Sequence, residues 1–203
     1  MYKRLSKEEA RELMEYTLQR YDVWISKYRY CLSKAEVTFL ERGLLTHYDR
    51  FARFRMSLKA HKDPWKMRPI VCCAGTTLNC LSRWLDYHFQ RLKQFIPSYI
   101  KDGEALLNDL DTLGQLPPNA RLFTADANSM YTNINTTHAI AVISTWLDNL
   151  PLDEEHGLSD FPLEAVKSAM KFVMQYNIFE FGDLYFHQLI GTAMGSYHLL
   201  RSS

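Results

Sequence analysis

The sequence contains no Cys-x-x-Cys pair, and no histidine stands at zinc-finger distance from its four cysteines, Cys31, Cys72, Cys73 and Cys80. That excludes the common structural zinc patterns and leaves buried, reduced thiols of an intracellular protein as the expectation. No apolar run is long enough to cross a bilayer, so no membrane partner is expected. The first residues, MYKRLSKEEA, lack an apolar h-region, and no secretory signal is expected. Low-complexity stretches and internal repeats are missing. So is any Asp-Asp pair. The overall charge is only +1, which says nothing about partners.

The distribution of charge says more. Between Arg50 and Lys101 lie eleven Lys and Arg against two acids, Asp63 and Asp86, a local +9 that leaves −8 for the rest. Such a block suits a surface that faces a polyanion. The bland alternative is a solvated basic face. A hydrophobic fraction of 47% over 203 residues is enough for a sizeable core.

Ser6 and Glu9 have capping-box spacing, followed by Leu13, Met14, Thr17, Leu18, Tyr21, Ile25 and Tyr28 at helical intervals. Ser33 and Glu36 repeat the signal, with Gly43 expected to end the second helix. Residues 54–60 and 67–74 read as two strands around the turn Asp63-Pro64-Trp65. Helices are expected over 77–96, 102–113, 137–150 and 162–177, the last with proline at its start. Residues 178–186 form a β-hairpin around Gly182-Asp183. The acidic loop 153–160 reads as a solvated connection. The histidines share no ligand spacing, and the Trp and Met residues are expected mostly in the core. Helices first, then strands and helices mixed, give an α+β fold.

Three constellations carry candidate chemistry. In RLFTADANSMYTNI (121–134), an apolar, strand-like run delivers Asp126 to its end, and Tyr131 follows. Two-metal nucleotidyl transfer needs carboxylates in such a place, although an isolated Asp also serves as a turn former or helix cap. In FRMSLKAHKDPWKMRPIVCCA (54–74), Lys62, Lys66 and Arg68 surround a turn that can fold over phosphates. An ordinary lysine-tipped surface hairpin is the alternative. In GTAMGS (191–196), two glycines allow close backbone approach to a ligand. No Gly-Lys-Ser/Thr follows, so it is not a Walker loop.

The ordered blocks HKDPWKMRPIV, WLDYHFQRL, PSYIKD, LFTADANSMYTNI and GTAMGS together resemble the reverse transcriptase domain of Penelope-like retroelements, over roughly residues 54–196. The resemblance implies the fingers and part of the palm of a right-hand polymerase, preceded by N-terminal helices. Residues 1–50 would be the helical region, 51–118 fingers-like, and 119–203 a partial palm. It implies RNA-directed DNA polymerisation with two magnesium (or manganese) ions. Its partners would be an RNA template, a DNA primer or nicked DNA, and deoxynucleoside triphosphates, and its place in the cell the nucleus. Asp126 would be a catalytic metal ligand, assisted by the Ala127 carbonyl. Lys62, Lys66 and Arg68 would meet the triphosphate, Tyr131 would be the steric gate under the sugar, and Gly191, Thr192 and Gly195 would position template and nucleotide. Where many of these enzymes carry Gln before the first glycine, this chain has Ile190, with Gln188 two residues earlier. The aromatic-x-Asp-Asp hairpin that completes the metal site is not in the sequence. The chain is therefore expected to be a C-terminally truncated and inactive fragment. The alternative is a non-catalytic nucleic-acid-binding relic or a fragment without function of its own.

Overall fold

The computed structural model describes residues 2–45, 51–60, 63–121, 123–127 and 130–192. Strand β1 (Tyr2–Leu5) leads into helix α1 (Lys7–Tyr28) and, past a 3-10 turn at Arg29–Cys31, into α2 (Lys34–Leu45). Then come strands β2 (Ala52–Lys59) and β3 (Lys66–Cys72), helix α3 (Asn79–Arg91), a 3-10 turn at Lys93–Phe95, and helix α4 (Gly103–Thr112). The short helix α5 (Met130–Asn133), α6 (Thr136–Asp148), α7 (Leu163–Gln175) and the hairpin β4 (Ile178–Phe181)–β5 (Leu184–Gln188) follow. The class is α+β.

Both capping boxes form. Ser6 N donates to Glu9 Oε2 at 2.7 Å and Glu9 N to Ser6 Oγ at 3.0 Å. Ser33 N donates to Glu36 Oε2 at 2.8 Å and Glu36 N to Ser33 Oγ at 3.2 Å. These bonds satisfy amides that the first helical turn leaves without partners. The Glu36 carboxylate also reaches across to α3. Its Oε1 accepts from Trp84 Nε1 at 2.8 Å and lies 3.1 Å from His88 Nε2. Burial works to raise the Glu36 carboxyl, but hydrogen bonds from Ser33, Trp84 and His88 outweigh it and hold it below its ordinary range. Burial pushes the His88 imidazole down, against the pull of Glu36.

The main core joins α1, α2, α3 and α7 around Tyr21, Ile25, Leu40, Leu81, Leu85, Val166 and Met170. The Tyr21 hydroxyl donates to the Leu40 carbonyl at 3.1 Å. Gly43 does not end α2 but lies inside it. A Cβ there would meet Cys80 Cβ and Tyr21 Cε1 at 3.2 Å, so this glycine lets helices approach closely. The helix expected over 77–96 divides into α3 and the separate 3-10 turn. The acidic loop is more than a solvated connection. Arg91 Nη2 donates to Gly157 O at 2.9 Å and Asp160 Oδ1 at 2.5 Å, and Leu158 is fully buried.

The five strands form one mixed sheet in the order β1-β5-β4-β2-β3. β1, which periodicity did not signal, pairs antiparallel with β5, Tyr2 opposite Gln188 and Leu5 opposite Tyr185. β2 pairs parallel with β4 only at Ala52 and Arg53. Its remaining length pairs with β3 alone, from Arg53 opposite Cys72 to Lys59 opposite Lys66. β2 and β3 thus extend beyond the sheet as a two-stranded arm. A second core, Leu5, Met14, Leu18, Phe51 and Ile178, seats α1 on the sheet.

Candidate functional site

The arm separates its side chains by chemistry. Residues opposite each other across a ladder share a face, and neighbours along a strand alternate. The register therefore puts Arg53, Arg55, Lys59, Lys66 and Arg68 on one face, together with Ser57, Ile70 and Cys72. Ala52, Phe54, Met56, Leu58, Met67, Pro69 and Val71 take the other. At the root, Phe54 stacks on Phe179, ring centroids 5.6 Å apart, and Val71 is buried. Arg53 Nε donates to Glu180 Oε1 at 3.1 Å. Arg55, Lys66 and Arg68 are exposed, and no acid pairs with them or with Lys59 among the described residues. Lys59 and Lys66 face each other directly, a like-charge pair that favours an anion between them. Lys66 and Arg68 thus stand on the second strand of the expected hairpin and share one face with the cations of β2. Lys62 lies outside the described residues. Arg53, Arg55 and Lys59 belong to the basic block and join this face as well. Their odd-numbered alternation along β2 was the signal that could have found them. Trp65, at the tip, and Met56 and Met67 are exposed rather than in the core.

The glycine loop docks on the helix that carries Tyr131. Gly191 N donates to Ile134 O at 2.8 Å and Thr192 N to Tyr131 O at 2.8 Å. Thr136 Oγ1 donates to Gly191 O at 3.2 Å. Gly191 has φ +87, and a Cβ there would come within 2.3 Å of Tyr131 O. Only glycine fits both the backbone and the space. Two segments about sixty residues apart in sequence are thereby locked together. Beside them, Gln188 is buried. Its Nε2 donates to Ile190 O at 3.1 Å, while its Oε1 has no hydrogen-bond partner among the described residues. Thr192 Oγ1 is likewise buried and without one. Buried polar atoms are ordinarily satisfied, and these two are not satisfied by the described residues. Gly195 lies outside the described residues.

The strand expected before Asp126 is not there. Residues 121 and 123–127 are irregular and exposed, with Phe123 89% exposed. A strand persists only where a neighbour takes up its backbone hydrogen bonds, and no sheet strand pairs with this segment among the described residues. Asp126 and Ala127 are exposed. Two divalent ions require several carboxylates to neutralise them. Among the described residues no three His, Cys, Asp or Glu cluster to hold a metal. Asp126 by itself does not fit a two-ion site. Tyr131, half-buried, is held by the Gly191 loop, and the cationic arm adjoins β4 in the strand order.

A surface hollow of about 370 Å³ lined by Lys34, Ala35, Thr38, Phe39 and Arg42 shares no residue with these elements. No helix among the described residues is long and apolar enough to cross a membrane. No protein-family model matches the chain, and neither a curated protein nor a solved structure gives a significant match.

Proposed function

We propose that this chain is the fingers and part of the palm of a retroelement reverse transcriptase, binding nucleic acid and a deoxynucleoside triphosphate. The observation that carries the reading is the docking of the Gly191–Thr192 loop on the Tyr131 helix. In the family that the sequence resembles, the aromatic gate lies under the sugar and the glycine loop positions template and nucleotide. Beside it, Gln188 Oε1 and Thr192 Oγ1 are two buried polar atoms without a hydrogen-bond partner among the described residues. The cationic face of the arm supplies what a triphosphate needs. Arg68 offers a planar fork of donors, and Lys66 a compact charge opposite Lys59. Tyr131 would exclude a 2′-hydroxyl by bulk. In the intact family, magnesium stabilises the charge that develops on the transferred phosphoryl group. Asp126 would contribute one ligand and the Ala127 carbonyl another, with further carboxylates required.

One observation favours a second reading, binding without chemistry: Asp126 is exposed and belongs to no acidic cluster among the described residues. Two measurements separate the readings. The first is the affinity of this chain for an RNA–DNA primer–template across a salt series. Phosphate contacts make it weaken as salt rises, and Lys66→Ala with Arg68→Ala should lower the salt slope by about one per cation removed. Affinity indifferent to salt would remove both readings. The second is magnesium-dependent nucleotide incorporation by a chain supplied with an Asp-Asp hairpin after the glycine loop. Asp126→Asn should abolish incorporation and leave affinity unchanged. Incorporation that survives this change would remove Asp126 from the site.

A further inference from the structure

Backbone hydrogen bonds join the Gly191 loop to the Tyr131 helix, from Gly191 N to Ile134 O and from Thr192 N to Tyr131 O. Every non-proline residue carries the same main-chain donor and acceptor, so these bonds make no demand on a side chain. Thr136 does. Its Oγ1 donates to Gly191 O at 3.2 Å, and both residues are buried. Gly191 is thereby held at its amide and at its carbonyl, from Ile134 and from Thr136.

Thr136 has a firm footing at the first turn of α6. Asn135 caps that helix, its Oδ1 accepting from His138 N at 3.0 Å. Ala139, Ile140, Ile143 and Trp146 pack against the main core, and Leu147 is fully buried in it. The loop starts from the sheet, where Gln188 N donates to Asn177 O at 2.9 Å. Valine in place of Thr136 would keep the shape and lose the hydroxyl, leaving a buried carbonyl without this donor. An unmet buried acceptor is costly, and the loop can relieve it only by shifting. Gly191 is packed so closely on Tyr131 O that a Cβ would come within 2.3 Å. A shift of the loop therefore moves the backbone that carries the tyrosine ring.

We propose that Thr136 is a positioning residue for Tyr131. Through Gly191, its hydroxyl sets where the tyrosine stands relative to the sugar of a bound nucleoside triphosphate, and so how strongly a 2′-hydroxyl is refused. The inference rests on the polymerase reading for the nucleotide and for Tyr131 as the gate. The bond from Thr136 to the loop does not depend on that reading.

Competition between dATP and ATP tests it, with magnesium, on the full chain bound to an RNA–DNA primer–template whose next template base is uridine. The quantity read is the ratio of the two affinities. Lost stability or an incomplete metal site weakens both triphosphates by the same factor and leaves the ratio alone. Wild type should prefer dATP by roughly tenfold or more, the scale on which bulk rejects an added hydroxyl. Tyr131→Val should bring the ratio close to one. Thr136→Val should lower it roughly threefold or more, and Thr136→Ser, which keeps the hydroxyl, should preserve it. A ratio that falls in Tyr131→Val and holds in Thr136→Val overturns the proposal and spares the polymerase reading. So does a ratio that falls as far in Thr136→Ser as in Thr136→Val. A wild type that binds both triphosphates equally, or neither, removes the gate reading and this inference with it, as does a preference that survives Tyr131→Val.

Discussion

Gly191 shows how much one residue can hold. Its φ of +87 and the 2.3 Å approach to Tyr131 O leave no room for a methyl group. Gly191→Ala should cost about 2 kcal/mol or more, from the left-handed backbone and the forced displacement of the loop. Denaturant unfolding measures that loss, and an unchanged midpoint would contradict the docking. His88 supplies a pH test. Its folded pKa is depressed by burial, so the unfolded chain takes up the proton first as pH falls below about 6.5. Its contribution to stability is complete above that value and declines toward the folded pKa. The lowered Glu36 carboxyl adds a further loss at more acidic pH. The thermal unfolding midpoint should therefore fall between neutral pH and about pH 5.5, and His88→Gln should flatten that part of the curve. Cys73 is buried and its thiol is pushed up to about 12 by burial, with Cys72 adding to the effect. At pH 8, iodoacetamide should label the partly exposed Cys31, Cys72 and Cys80 well before Cys73.

Among the elements, the helices obey local rules and the arm obeys register. The apolar positions named along α1 face the core, and both capping boxes close. Ser6→Ala should cost about 1 kcal/mol, visible as a lowered unfolding midpoint. The β2–β3 and β4–β5 hairpins were legible from their turns and alternation. β1 was not, because four residues offer too little periodicity, and its partner β5 lies about 180 residues away. Nor was the irregular course of 123–127, where an apolar run looked like a strand but meets no neighbour to pair with. Hydrogen exchange should reflect this contrast. Amides of 123–127 and α4 should exchange fast, and those of α3 and α7 slowly.

For the whole molecule, strands from the first residues, the second quarter and the last third share one sheet. Leu5 ties its edge to α1 through the cluster with Met14, Leu18, Phe51 and Ile178. Leu5→Ala should cost roughly 2–4 kcal/mol and loosen β1 from β5, which protection of the β5 amides would report. The candidate site depends on this scale too. Lys66, Arg68, Tyr131 and Gly191 were readable as residue types in a recognisable order. The sequence by itself determined the helices, their caps, the hairpins and the alternation that segregates cations on the arm. All of these follow from contacts a few residues apart. Only the tertiary structure decided that the glycine loop locks onto the Tyr131 helix, that Glu36 joins α2 to α3, and that Asp126 stands exposed and off any strand. Those outcomes depend on which distant segments complement one another once the chain has closed its long loops, and no local pattern records that.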